Sequence, residues 1–201
     1  MSLNSFTTIK TAIGTWLDRS DMAGVIPDLI AIAENRIYRD LRIRAMEEAI
    51  STAISSGVVA VPTGYLEMKH AYMDGKYAVS RVDPAFIYER YPERTAQGVP
   101  AYFAREAENF IFGPYPDSAY TMKGVYYKKL TALSASNETN WFTDNCPELV
   151  LFGALVEAEP YIGNDARVLL WESKYSAIKN EIQRADKREE TSGSRLQTVA
   201  G

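Results

Sequence analysis

The sequence predicts an α+β fold, a helical bundle formed by N- and C-terminal helices with an antiparallel β domain inserted between them. Three observations carry this. Apolar residues recur three and four apart near both ends of the 201-residue chain, as in Ile26, Ile30, Ala33, Ile37 and Leu41, and in Val168, Trp171, Tyr175, Ile178 and Ile182. In between, the period falls to two, as in Ile50, Thr52 and Ile54. Turn signals punctuate that middle part at Ser56-Gly57, Asp74-Gly75 and Pro114-Tyr115-Pro116-Asp117. The expected organisation is a bundle from residues 1–46 and 146–189, a β domain over 47–145, and a flexible tail over 190–201.

The first helix is expected from Phe6, Ile9, Ile13 and Trp16 or Leu17, with Ser5 as its cap and an end near Arg19. A turn over residues 21–24 leads to Pro27, which suits the first turn of a helix because its missing N–H would be unpaired there anyway. This second helix is expected to run to Met46, with Arg39 and Arg42 on the face opposite the apolar stripe. Arg44 falls back towards the stripe, and Glu48, four residues on, is its expected partner.

The alternating segments around Ser56-Gly57 read as one hairpin, and those flanking Asp74-Gly75, over residues 65–73 and 76–82, as a second with a two-residue turn. Asp83-Pro84 looks like the cap and first turn of a short helix through Tyr91. Further strands are expected over residues 101–105, 109–112 and 120–129, with an exposed turn at 114–117 where two prolines break the ladder. Residues 131–140 are rich in Ser, Thr and Asn and read as a loop. Asp144 or Asn145 is expected to cap the helix that Pro147 opens, which buries Leu149, Phe152, Leu155 and Val156. The apolar pattern of the last helix fades from Arg184 to Glu190, and the tail from Thr191 to Gly201, almost without apolar residues, is expected to be disordered in isolation.

Composition narrows the function. Apolar residues make up 46% and charged residues 24%, as in an ordinary folded soluble protein. A net charge of -4 argues against a protein whose main task is gripping a phosphate backbone. No apolar run has the length of a membrane span or the form of a signal peptide, so synthesis in the cytoplasm is expected. The lone Cys146 cannot form an internal disulfide. His70 is the one histidine, with no nucleophile identified beside it, and Glu67, Asp74, Glu106 and Glu108 show no spacing that marks a catalytic pair. No phosphate loop or zinc spacing occurs, so no catalytic residue, cofactor or metal is expected. Tyrosine is abundant at thirteen, with many copies in the β region, where it serves either cross-strand pairing or an interface.

Several blocks in order resemble one family. They are Ile26-Pro27-Asp28 followed by residues 33–47, Val61 to Glu67, Gly98 to Tyr102, Phe112 to Pro116, Tyr126-Tyr127 before Leu130, Cys146 to Ala158, and Asp165 to Tyr175. Together they are similar to the adaptor, or head-to-tail connector, proteins of tailed bacteriophages. Cys146 departs from the pattern, where a polar or small residue is more usual before the proline.

The resemblance implies a structural, non-enzymatic protein in the virion neck, assembled as a ring commonly of twelve copies. Its implied partners are the portal protein, further copies of itself, and the next tail component (nozzle, stopper or tail tube), around a channel through which DNA passes. A C-terminal segment that orders inside the portal is also implied. On this reading the candidate partner-binding residues are Arg36, Arg39 and Arg42 on the second helix, Tyr115 at the turn, and Glu190, Arg195 and Leu196 in the tail. A solvated helix face is the plainer reading of the arginines. Two other classes stay open: a tail component that cleaves cell-wall glycan, and a nucleic-acid binding module.

Overall fold

The computed structural model describes residues 3–163 and 166–192, with Arg94 described by its backbone alone. The chain divides into two compact units, Met1–Ala45 with Leu130–Gly201, and Met46–Lys129. The architecture is α+β, with helices at both ends of the chain and strands in the middle.

In the helical unit, α1 (Phe6–Leu17) starts at Ser5, whose hydroxyl accepts from the Thr8 N–H while the Thr8 hydroxyl accepts from the Ser5 N–H. This reciprocal cap satisfies two helix-end donors and stabilises by about 1 kcal/mol. A short 3-10 turn, Ser20–Gly24, leads into α2 (Ile26–Asp40), which has Pro27 in its first turn. The expected helix to Met46 stops earlier. Leu41 is extended, and Arg42 Nη1 donates to the carbonyls of Tyr38 and Leu41 at 2.6 and 2.7 Å, covering helix-end acceptors.

After the loop from Leu130, Asn140 caps the short helix α4 (Trp141–Asn145), accepting from the N–H groups of Phe142 and Thr143. Neither Asp144 nor Asn145 caps the following helix. Cys146 holds that position without a side-chain hydrogen bond, and α5 (Pro147–Glu157) begins there. Phe152 and Val156 are only partly covered, whereas Leu149, Val150, Leu151, Gly153, Ala154 and Leu155 are buried. Those six positions surround the helix axis, so α5 is a central helix apolar on nearly every side. It packs against α1, α2, α4 and the last helix. A four-residue helix, α6 (Glu159–Ile162), precedes α7 (Arg167–Thr191), which stays helical beyond Arg184, where the apolar pattern fades.

The β unit holds two sheets. The first has the order β1 (Glu47–Ile54), β7 (Tyr120–Lys128), β3 (Tyr65–Met73), all antiparallel. The second has the order β2 (Val58–Ala60), β6 (Asn109–Gly113), β5 (Tyr102–Glu106), β4 (Ser80–Arg81), antiparallel except for the parallel β4–β5 pair. The expected first hairpin is therefore not one: β1 pairs with β7, β2 with β6, and the Ser56-Gly57 turn carries the chain from one sheet to the other.

The second hairpin is real but brief. Met73 N–H donates to Tyr77 and Lys76 N–H to Met73, and of the two central residues only Gly75 has positive φ, at 66°. This is a three-residue loop with glycine in the left-handed position, not the two-residue turn expected. The chain then leaves for the second sheet as β4. Gly124 marks a close approach of β3 to β7, since a Cβ there would lie 2.3 Å from the carbonyl oxygen of His70.

Alternation along the strands sorts side chains into two layers. Phe103, Phe110 and Phe112 join Ile54, Met73 and Met122 in the main β core. Ala104 and Ile111 face the other way, onto Ile87 of α3 (Pro84–Arg90), whose cap is Asp83 as expected.

Candidate partner-binding surfaces

The candidate residues must be read against what each already touches. Arg36 leaves α2 and reaches α7, where Nη2 donates to both carboxylate oxygens of Glu172 at 2.6 and 2.8 Å. Its guanidinium also lies 4.4 Å from the centre of the Tyr175 ring, and Glu157 of α5 is 3.6 Å away. Tyr175 is fully buried and donates its hydroxyl to Asp40 at 3.0 Å. Burial, with Asp40 beside it, holds that phenol above its ordinary pKa, so the donor stays protonated at neutral pH. Arg36 thus ties three helices together. Arg39 is exposed, and Arg42 is spent on the end of α2.

Arg44 does not meet Glu48. Its N–H and Nε both donate to Asp186 of α7, at 3.0 and 3.4 Å, and its guanidinium also pairs with Glu189. Glu48 instead accepts from Lys128 at 2.7 Å, across the β1–β7 pair.

Tyr115 is half-buried, not at the tip of an exposed turn. Its N–H donates to Ala96 and its carbonyl accepts from Gly98, placing it in a β-bridge with Gln97. Glu190 is exposed on the last turn of α7. Arg195 and Leu196 lie outside the described residues.

The residues weighed for chemistry are dispersed. Asp74 pairs with Lys123 at 2.8 Å, Glu106 accepts from Tyr88 at 2.9 Å, and Glu108 stands 3.6 Å from Arg105. His70 and Glu67 are exposed on β3. Burial, followed by the nearby Glu148 charge, pushes the Cys146 thiol up to about 12, the opposite of an activated thiol. Among the described residues no cluster of three or more His, Cys, Asp or Glu could hold a metal ion. No described helix is long and apolar enough to cross a membrane.

Two features were missed in the sequence. Glu34 is a carboxylate only 3% exposed, and it sits on the apolar face of α2 between Ile30 and Ile37. Its place within the stripe was the available signal. The other is a set of large apolar side chains in water: Leu169 at 79%, Leu170 at 57%, Tyr161 at 52% and Trp16 at 45% exposure. Leu169 and Leu170 fall off the spacing set by Trp171 and Tyr175, which could have identified them as outward-facing.

What these surfaces offer is contact area and charge, carried on packed helices. No curated protein matches the chain. The family model described as SU10 adaptor protein matches residues 4–198, nearly the whole length, and the chain belongs to that family of phage adaptor proteins.

Proposed function

We propose that this chain is a head-to-tail connector of a tailed phage. It forms a ring of twelve copies beneath the portal, in the neck of the virion, and meets the next tail component on its other side, leaving a channel through which DNA passes. The observation that carries this reading is the family match over residues 4–198. The helical unit supports it. The ties of Arg36 and Arg44 to α7 fix a 25-residue helix at several points along its length, a rigid support for a docking end. We place portal recognition at that end of the chain, from Glu190 through Arg195 and Leu196, with Arg39 the arginine of α2 best placed to meet a neighbour or the DNA. Many weak contacts made side by side in a ring give avidity without strong single contacts.

The test is electron microscopy of the purified protein mixed with the portal ring encoded by the same genome, each alone as control. An added tier of density with the portal's rotational order supports the connector role. Absence of a tier with both proteins folded removes it.

A further inference from the structure

The β unit leaves one long strand edge without a neighbour. β1 lies at the edge of the first sheet and pairs with β7 in unbroken register, from Glu47 opposite Tyr127 to Ile54 opposite Tyr120. The Thr121 carbonyl accepts from Asp74 N–H at 2.9 Å, and Lys129 N–H donates to Gly64 at 2.8 Å. The odd-numbered residues of β7 therefore turn their backbone groups away from β1, toward the β3 side. In an antiparallel pair, facing residues point their N–H and C=O both inward or both outward. Glu47, Ala49, Ser51 and Ala53, opposite Tyr127, Val125, Lys123 and Thr121, thus point theirs outward, where they make no hydrogen bond among the described residues.

The other edges are short, irregular or covered. β3 has register shifts at Tyr65/Glu67 and Met68/His70, and beyond them Ala71 accepts from Val79 while Met73 donates to Tyr77. β2 has three residues and β4 two. β1 has no proline and no bulge, and its two charged residues, Glu47 and Glu48, are tied to Lys69 and Lys128 at its first end. Ala49, Ser51 and Ala53 are small and exposed, which leaves room for larger side chains on a strand beside them, while Ile50 and Ile54 are buried in the core. The outward groups repeat about every 6.8 Å over roughly 20 Å, which fits an extended backbone of about seven residues and neither a helix nor a nucleic acid.

From this we infer that β1 receives an extended segment of the next tail component as an added strand. The inference rests on the proposed function and goes beyond it by naming the surface and the backbone conformation of the partner. Portal recognition is placed on the helical unit, which leaves the β unit for the component on the other side. A second copy of the chain does not fit as donor. None of its other edges is long and regular, and β1 against β1 is a twofold contact that closes on a pair, not a ring.

The test is residue-resolved amide hydrogen exchange in the protein alone, with the portal ring, and with the next tail component encoded by the same genome added to each. In the free protein the amides of Ala49, Ser51 and Ala53 should exchange at least about tenfold faster than those of Ile50 and Thr52, and the tail component should slow them about tenfold. Ser51→Pro removes one outward N–H and no bond to β7. It should weaken binding of the tail component about tenfold and leave attachment to the portal unchanged. The wild-type exchange decides alone if that variant does not fold.

Unchanged exchange at the three amides in a complex that forms would overturn the inference and leave the connector reading standing. So would a tail component that fails to bind protein seated on the portal, protection by the portal alone, or protection in the free protein that grows with its concentration, the sign of pairing between copies. If neither the portal nor the tail component binds, the connector reading falls and takes this inference with it.

Discussion

Glu34 of α2 accepts the N–H of Leu133 with both carboxylate oxygens, at 3.1 and 3.3 Å, although 99 residues separate them in the chain. Asn140 Nδ2 donates to the same carboxylate at 3.1 Å, and the Asn140 side-chain oxygen caps α4. One buried carboxylate therefore holds both ends of the 133–140 loop. Removing it in Glu34→Ala leaves a buried N–H unpaired and should cost about 2 kcal/mol in urea unfolding.

The same group sets a pH dependence. Burial raises the Glu34 pKa above its ordinary 4.5, outweighing the hydrogen bonds from Leu133 and Asn140 that lower it. The folded state then holds its proton more tightly than the unfolded state. This contribution to stability is fully present below pH 4.5 and is lost as pH rises through the folded value. Wild type compared with Glu34→Gln, which keeps an acceptor but does not titrate, should show a stability difference that shifts in favour of Gln with rising pH. A difference that stays flat from pH 4 to 8 would refute the assignment.

Arg36 joins α2 to α7 through Glu172, whose side chain is 40% exposed, so solvent screening limits the pair. A double-mutant cycle with Arg36→Ala and Glu172→Ala should give a coupling of about 1 kcal/mol. Arg36→Ala alone should cost more than that coupling, because it also uncovers the face of the Tyr175 ring. Thermal unfolding of the four proteins measures both quantities. A coupling near zero would mean the bidentate geometry contributes only alignment.

Local features were legible before the structure. Ser5 and Asp83 cap their helices because a short polar side chain before an apolar stripe has few other roles, and the strands over 102–106, 109–113 and 120–128 follow from alternation. The features that stayed hidden are the ones made at long range. The partner of β1 is β7, not the next strand, and Arg44 finds Asp186 across 142 residues while Glu48 is drawn to Lys128. Spacing arguments reach only one helical turn or one hairpin, so they assign these groups to neighbours in sequence. The candidate surface was legible in part. The arginines of α2 were found, but the commitment of Arg36 and Arg42 to internal ties was not, and the outward leucines of α7, which fall off the spacing of Trp171 and Tyr175, were legible there and passed over.

Close packing of α2 on α5 depends on Gly153, where a Cβ would lie 3.1 Å from the Cβ of Ala33. Gly153→Val adds branched bulk at this contact and should destabilise by about 1–3 kcal/mol, despite removing a glycine from a helix interior. Ala33→Gly in the same chain opens space opposite and should recover part of that loss. If the double variant is as unstable as the sum of the singles in denaturant titrations, the two positions are not in the contact described.

Cys146 gives a direct report on the integrity of the helical unit. It is 3% exposed at the start of α5, and burial pushes its thiol up to about 12, so almost none is thiolate at pH 8. A maleimide should label the native protein far more slowly than the urea-unfolded chain, by a factor of at least about 100 set by the thiolate fraction and access together. Glu34→Ala, which frees the loop leading into α4, should label faster than wild type, because opening of α4 exposes the residue that follows it. Equal labelling rates in the two proteins would mean that the Glu34 clasp and the cover over Cys146 open independently.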